Sequence, residues 1–93
     1  MSDCLDAPLV AARFTITADA SPGLLPRVLE PFAKRDLIPD AVRVARQGAA
    51  MRAEIAMEAM PLGMVQLVAG NLGQIIGVHR VEAMEGRVVR LAA

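Results

Sequence analysis

Asp19-Ala20-Ser21-Pro22-Gly23-Leu24-Leu25-Pro26-Arg27-Val28-Leu29-Glu30-Pro31-Phe32-Ala33-Lys34-Arg35 is the stretch that decides how the chain folds. Its first five residues break the strand that precedes them. Ser21 suits a helix N-cap and Pro22 the first helical position. Leu25, Val28, Leu29 and Phe32 then fall on one stripe, with Arg27, Glu30 and Lys34 away from it. That spacing predicts an amphipathic helix running to about Arg35. Pro26 is tolerated early in a helix, whereas Pro31 removes a backbone donor and crowds the preceding turn, so a kink is expected there.

Upstream, Ala12, Phe14, Ile16 and Ala18 alternate with Arg13, Thr15 and Thr17, which predicts a half-buried strand over residues 11–18. Downstream, Pro39 forces an extended entry into a second strand over residues 40–47, with Val42 and Val44 on one face and Arg43, Ala45 and Gln47 on the other. Gln47-Gly48-Ala49 signals a turn. A third strand over residues 50–59 sets Met51, Ala53, Ile55 and Met57 against Arg52, Glu54 and Glu58. Pro61 opens a second helix reaching Leu72 or Gly73, with Met64, Val65, Val68, Leu72 and Ile75 at helical spacing. Val78 to Met84 reads as the last strand.

The order β-α-β-β-α-β, with right-handed crossovers, implies an α+β fold: a ferredoxin-like βαββαβ sandwich whose four-stranded antiparallel sheet carries two helices on one face. Residues 1–8 read as a flexible leader, 9–85 as the domain and 86–93 as a C-terminal tail, in which Val88-Val89-Arg90-Leu91 suits an extra strand or an interface arm.

Composition narrows the function. The 93 residues suit one domain with a modest core that subunit pairing would extend. Apolar residues at 55% argue against disorder, and aromatics at 2% leave the core to Val, Leu, Ile, Met and Ala. Ten Lys plus Arg balance ten Asp plus Glu, so no electrostatic footprint for nucleic acid exists. No apolar run reaches membrane-spanning length, and the acidic start lacks the basic region of a signal peptide. Cys4 is the sole cysteine, which excludes an internal disulfide and fits a reduced, cytoplasmic setting. No metal or cofactor motif is present, and His79 stands without an adjacent nucleophile or orienting group, so it reads as structural or surface and the chain as no enzyme. The methionines Met51, Met57 and Met64 sit on apolar faces and read as core rather than metal ligands.

Residues 19–35 resemble the opening of ACT domains: a Ser-Gly or Pro-Gly start, then Leu, Arg-Val and Phe, and a closing Arg. Asn71-Leu72-Gly73-Gln74-Ile75-Ile76-Gly77-Val78-His79-Arg80-Val81 resembles the second helix and last strand of the ACT domain in acetolactate synthase small regulatory subunits. The resemblance covers roughly residues 11–84. It implies a non-catalytic regulatory domain that pairs with a copy of itself, binds an amino acid beside the first strand-to-helix turn at a subunit interface, and serves an enzyme of amino-acid biosynthesis. Where those small subunits carry Asn, this chain has Ala20 and Ile38, so both polar handles for a valine-like ligand are replaced.

The ligand-binding candidates are therefore Asp19, Ala20, Ser21, Gly23, Leu24, Leu25, Ile38 and Asp40. Gly23 lacks the Cβ that would obstruct a ligand, or simply permits a tight turn. Leu24 and Leu25 offer early-helix N–H groups to a carboxylate, which the helix dipole favours. Asp19 and Asp40 are the nearest acceptors for an ammonium, or solvated acids at element ends. Two functions compete: an amino-acid-responsive regulator, and a ligand-free interaction subunit of a partner enzyme. An acylphosphatase-like activity on the same fold would need a loop pattern around Arg13 and Asn71 that is missing, and a metal chaperone would need paired cysteines. Ala45 and Ala56 thin the polar face of the sheet and leave room for a second copy.

Overall fold

The computed structural model describes residues 8–89. The leader read over residues 1–8 lies, apart from Pro8, outside the described residues, as do residues 90–93 of the tail. The elements are β1 (Leu9–Asp19), α1 (Leu24–Ala33), β2 (Ala41–Gln47), β3 (Ala50–Pro61), α2 (Leu62–Gly73) and β4 (Val78–Val89). The sheet order is β2-β3-β1-β4 and every pairing is antiparallel. This is the βαββαβ sandwich expected, with β1 and β3 inside and β2 and β4 at the edges.

Register puts the alternating apolar residues together. Phe14 faces Ile55 on one side and Ala83 on the other, and Ile16 faces Ala53 and Val81. These side chains meet Leu24, Val28 and Phe32 of α1 and Val65, Val68 and Leu72 of α2 in one core. Phe14 and Phe32 pack edge to face, with ring centroids 5.3 Å apart and planes at 83°. An aromatic pair of this geometry adds about 0.5–1.5 kcal/mol beyond its buried area.

The helix ends differ from the sequence reading. Helix α1 starts at Leu24 rather than Pro22, because the Leu24 amide donates to the Ser21 carbonyl at 3.1 Å and closes a turn over Pro22 and Gly23 first. The Ser21 side chain makes no capping bond; Gly23 occupies the N-cap. At the other end the helix stops at Ala33, two residues short of Arg35. Asp36 takes a left-handed φ of 57°, its amide bonds the Ala33 carbonyl, and the Leu37 amide reaches back to Phe32 at 2.9 Å. That is a Schellman closure, with Asp in the place glycine usually takes. Pro31 falls in this last turn and is buried, so the helix ends just beyond the proline.

Two further features matter. Strand β4 continues past Met84 to Val89, pairing Val88 with Val10 and Val89 with Leu9. Strand β2, by contrast, is exposed at all seven residues, including Val42 and Val44 at 42% each. Its hairpin to β3 turns on Gly48, whose φ of 63° is the positive angle a two-residue turn of type II′ needs first.

Candidate functional site

The antiparallel order brings the end of β1 beside the start of β4, although some sixty residues separate them. The Asp19 amide donates to the Gly77 carbonyl at 2.9 Å, which ties the two chain segments together. A pocket of about 270 Å³ opens at this corner. Asp19, Ser21 and Gly23 line it from the β1–α1 turn, Leu24 and Arg27 from the helix, and Ile76 and Gly77 from the α2–β4 turn.

Each wall has a local cause. Gly77 takes φ 99°, where L side chains are strained, and a Cβ there would come within 3.3 Å of Leu24 and 3.6 Å of the Asp19 Oδ2. Glycine is therefore demanded by the turn. Gly23 is different: its φ of −87° is open to any residue, and a Cβ on it meets nothing within 4 Å. The turn does not require Gly23; its missing side chain leaves space in the pocket. Among the described residues the amides of Gly23 and Leu25 have no backbone acceptor, while Leu24 is bonded to Ser21 and Pro22 and Pro26 have no N–H.

The charged groups stand at different places around this space. Asp19 Oδ1 accepts from His79 Nε2 at 2.6 Å, and both side chains are exposed. Arg27 has no ion-pair partner among the described residues. Ile76, 85% exposed, and buried Leu24 supply apolar surface. A carboxylate, a cation, the Gly23 amide and an apolar wall thus line one space.

The remaining candidates do not join this pocket. Ala20 donates its amide to Ala49 at 2.9 Å and packs against the core, as does Leu25. Ile38 and Asp40 precede β2 at the opposite end of the sheet. Asp19 pairs with Ala50 and Ala41 with Ala56, six residues apart on β3, about 20 Å at the usual strand rise. There Asp40 Oδ2 accepts the Glu58 amide at 2.6 Å and the Asp40 amide donates to Ala56, so this acid fastens the entry of β2. Ile38 is 83% exposed. The sequence reading missed Arg27, Ile76, Gly77 and the His79–Asp19 contact; the signal for them lies in the strand order, which places the start of β4 against the end of β1.

A larger, shallow depression of about 460 Å³ lies on the open sheet face around Ala11, Arg13, Ala56 and Met84. It follows from one extra residue in each of β3 and β4 opposite Ala11.

Residues 6–88 match the profile of the ACT-like domain. The chain belongs to the ACT-like domain family. ACT domains are generally regulatory, ligand-binding and non-catalytic. The fold agrees with solved ACT domains: that of the GTP pyrophosphokinase of Chlorobium tepidum superposes with a TM-score of 0.71 at 13% identity, covering 82% of this chain and 99% of that one. An uncharacterized protein from Thermotoga maritima reaches 0.70 at 16% identity, over 85% and 99% of the two chains. The C-terminal domain of the MgtC protein from Mycobacterium tuberculosis reaches 0.61 at 13%, over 84% and 88%. No curated protein matches in sequence. At these identities the likeness concerns the fold alone. No helix among the described residues is long and apolar enough to cross a membrane.

Proposed function

We propose that this ACT-like domain is a non-catalytic regulatory module that forms a homodimer and binds an amino acid at the seam between two copies, in the service of an enzyme of amino-acid biosynthesis. The observation that carries the reading is the pairing of a corner pocket with an unsatisfied edge strand. Among the described residues the outer edge of β2 offers an unpaired row of N–H and C=O groups, flanked by exposed Val42, Val44 and Ile38. Two β2 strands joined antiparallel about a two-fold axis would set the start of one against the end of the other. The partner's loop before β2, the one that carries Ile38 and Asp40 here, would then come toward the β1–α1 turn.

A second reading, a ligand-free interaction subunit, is favoured by Ala20 and Ile38, which offer no side-chain hydrogen bond where a polar handle was expected. One experiment separates the two. Amino acids are screened singly at millimolar concentration for a rise in thermal midpoint, with light scattering on the same samples. Ligand at a hundred times its Kd stabilises by about 2.7 kcal/mol, a readily measured shift. A dimer with no shift for any amino acid supports the interaction subunit; a monomer near 9.8 kDa with no shift removes both.

A further inference from the structure

We propose that His79 is the positioning residue of the corner pocket: it holds Asp19 as the acceptor for a ligand ammonium group, and so makes the site select apolar α-amino acids over the same acids without the amine. The proposal deepens the regulatory reading above and rests on it.

The geometry begins with a bulge. The β1–β4 register passes from Thr17 opposite Arg80 to Ala18 opposite Val78, so β4 carries one extra residue, His79. The insertion keeps Val78 packed against the core and Arg80 on the exposed face. It releases the imidazole from the ladder's alternation, and bulges of this kind re-aim side chains beside functional sites. Here the imidazole is aimed at Asp19.

Three constraints then converge on one carboxylate. The Asp19 backbone is pinned by its 2.9 Å bond to Gly77. Oδ1 is taken by His79 Nε2 at 2.6 Å. Oδ2 lies 3.6 Å from where a Cβ on Gly77 would stand, and both residues line the pocket. An acid with one oxygen held and the other without a hydrogen-bond partner among the described residues is prepared to receive a cation. Stability does not explain the arrangement, because the two side chains are 60% and 58% exposed and such pairs contribute little to folding.

The other walls define the rest of the ligand. Arg27, without an ion-pair partner among the described residues, meets a carboxylate, and Leu24 with Ile76 faces an aliphatic side chain. Discrimination follows because the amine gains a charge-assisted contact with Asp19 that the amine-free acid cannot make.

The test is calorimetric titration of the whole chain with L-leucine and with isocaproate, its amine-free counterpart. His79→Ala is expected to weaken leucine about tenfold, the scale of one lost charge-assisted contact, and to leave isocaproate within about twofold. His79→Gln, which keeps an N–H donor, is expected to recover most of the loss. Unchanged thermal midpoints show that the variants fold. Leucine binding unaltered in His79→Ala overturns the proposal alone, as does an equal loss for both ligands. Failure of the native chain to bind leucine, valine, isoleucine or methionine overturns the proposal together with the regulatory reading.

Discussion

Strands β1 and β2 alternate apolar and polar residues in the same way, yet β1 buries Val10, Ala12, Phe14, Ile16 and Ala18 while β2 keeps all seven of its residues exposed. The apolar residues of both strands point to the helical side of the sheet: Val42 pairs with Ile55 and Val44 with Ala53, which in turn pair with Phe14 and Ile16. What differs is cover. Strand β1 has a neighbour on each side and both helices above it. Strand β2 has one neighbour and lies beyond the packed helix faces. Alternation therefore states which way a side chain points, and position in the sheet states whether anything meets it there. An apolar row of that kind on a free edge is where a second copy gains most.

The largest test strikes the covered strand. Phe14→Ala is expected to cost about 3–5 kcal/mol, since it empties a fully buried site and removes the ring that meets Phe32. Urea unfolding measures it, and a loss under about 1 kcal/mol would show that β1 is not the centre of the core. Next, Gly77→Ala disturbs the junction of β1 and β4, because φ 99° is strained for alanine and the new Cβ crowds Leu24. A loss of about 1–3 kcal/mol is expected in the same assay.

On the uncovered strand the expected effects on folding are smaller. Val44→Lys places a charge on a half-open edge residue and is expected to cost the single subunit no more than about 0.5 kcal/mol, read at a dilution where the chain is monomeric. If β2 joins two copies, the same substitution shifts the mass seen by light scattering toward 9.8 kDa. A dimer indifferent to Val44→Lys would move the interface elsewhere, with the open sheet face around Ala56 and Met84 the next place to look. Smallest of all, Gly23→Ala is expected to change stability by no more than about 0.5 kcal/mol, in either direction, because φ −87° suits alanine and the added methyl meets nothing. Its effect belongs to the pocket: amino-acid binding weakens while folding does not, a separation that Gly77→Ala cannot offer.

Much of this is legible in the sequence. The turn at Asp19 to Gly23, the stripe of Val28 and Phe32, and the strict alternation in β1 and β3 predicted the element order, and the order predicted the sandwich. Helix limits were less legible. The Ser21–Leu24 turn and the left-handed Asp36 are choices among closely balanced local conformations, and an N-cap preference does not decide between them. Of the site, Asp19, Ser21, Gly23 and Leu24 were found because they are neighbours in the chain. Arg27 was passed over as a solvent-facing residue of the helix, and Ile76, Gly77 and His79 belong to a segment that reaches Asp19 only when β4 docks on β1.

The sequence by itself determined the faces. A period of two in strands and 3.6 in helices is a property of the covalent chain, so the inward residues of β1, β3, α1 and α2 can be named from spacing alone. Tertiary structure decided the neighbours: which strand lies at an edge, where the ladder takes an extra residue, and which imidazole meets which carboxylate. These depend on hydrogen-bond register between segments far apart in the chain, and no local periodicity carries that information.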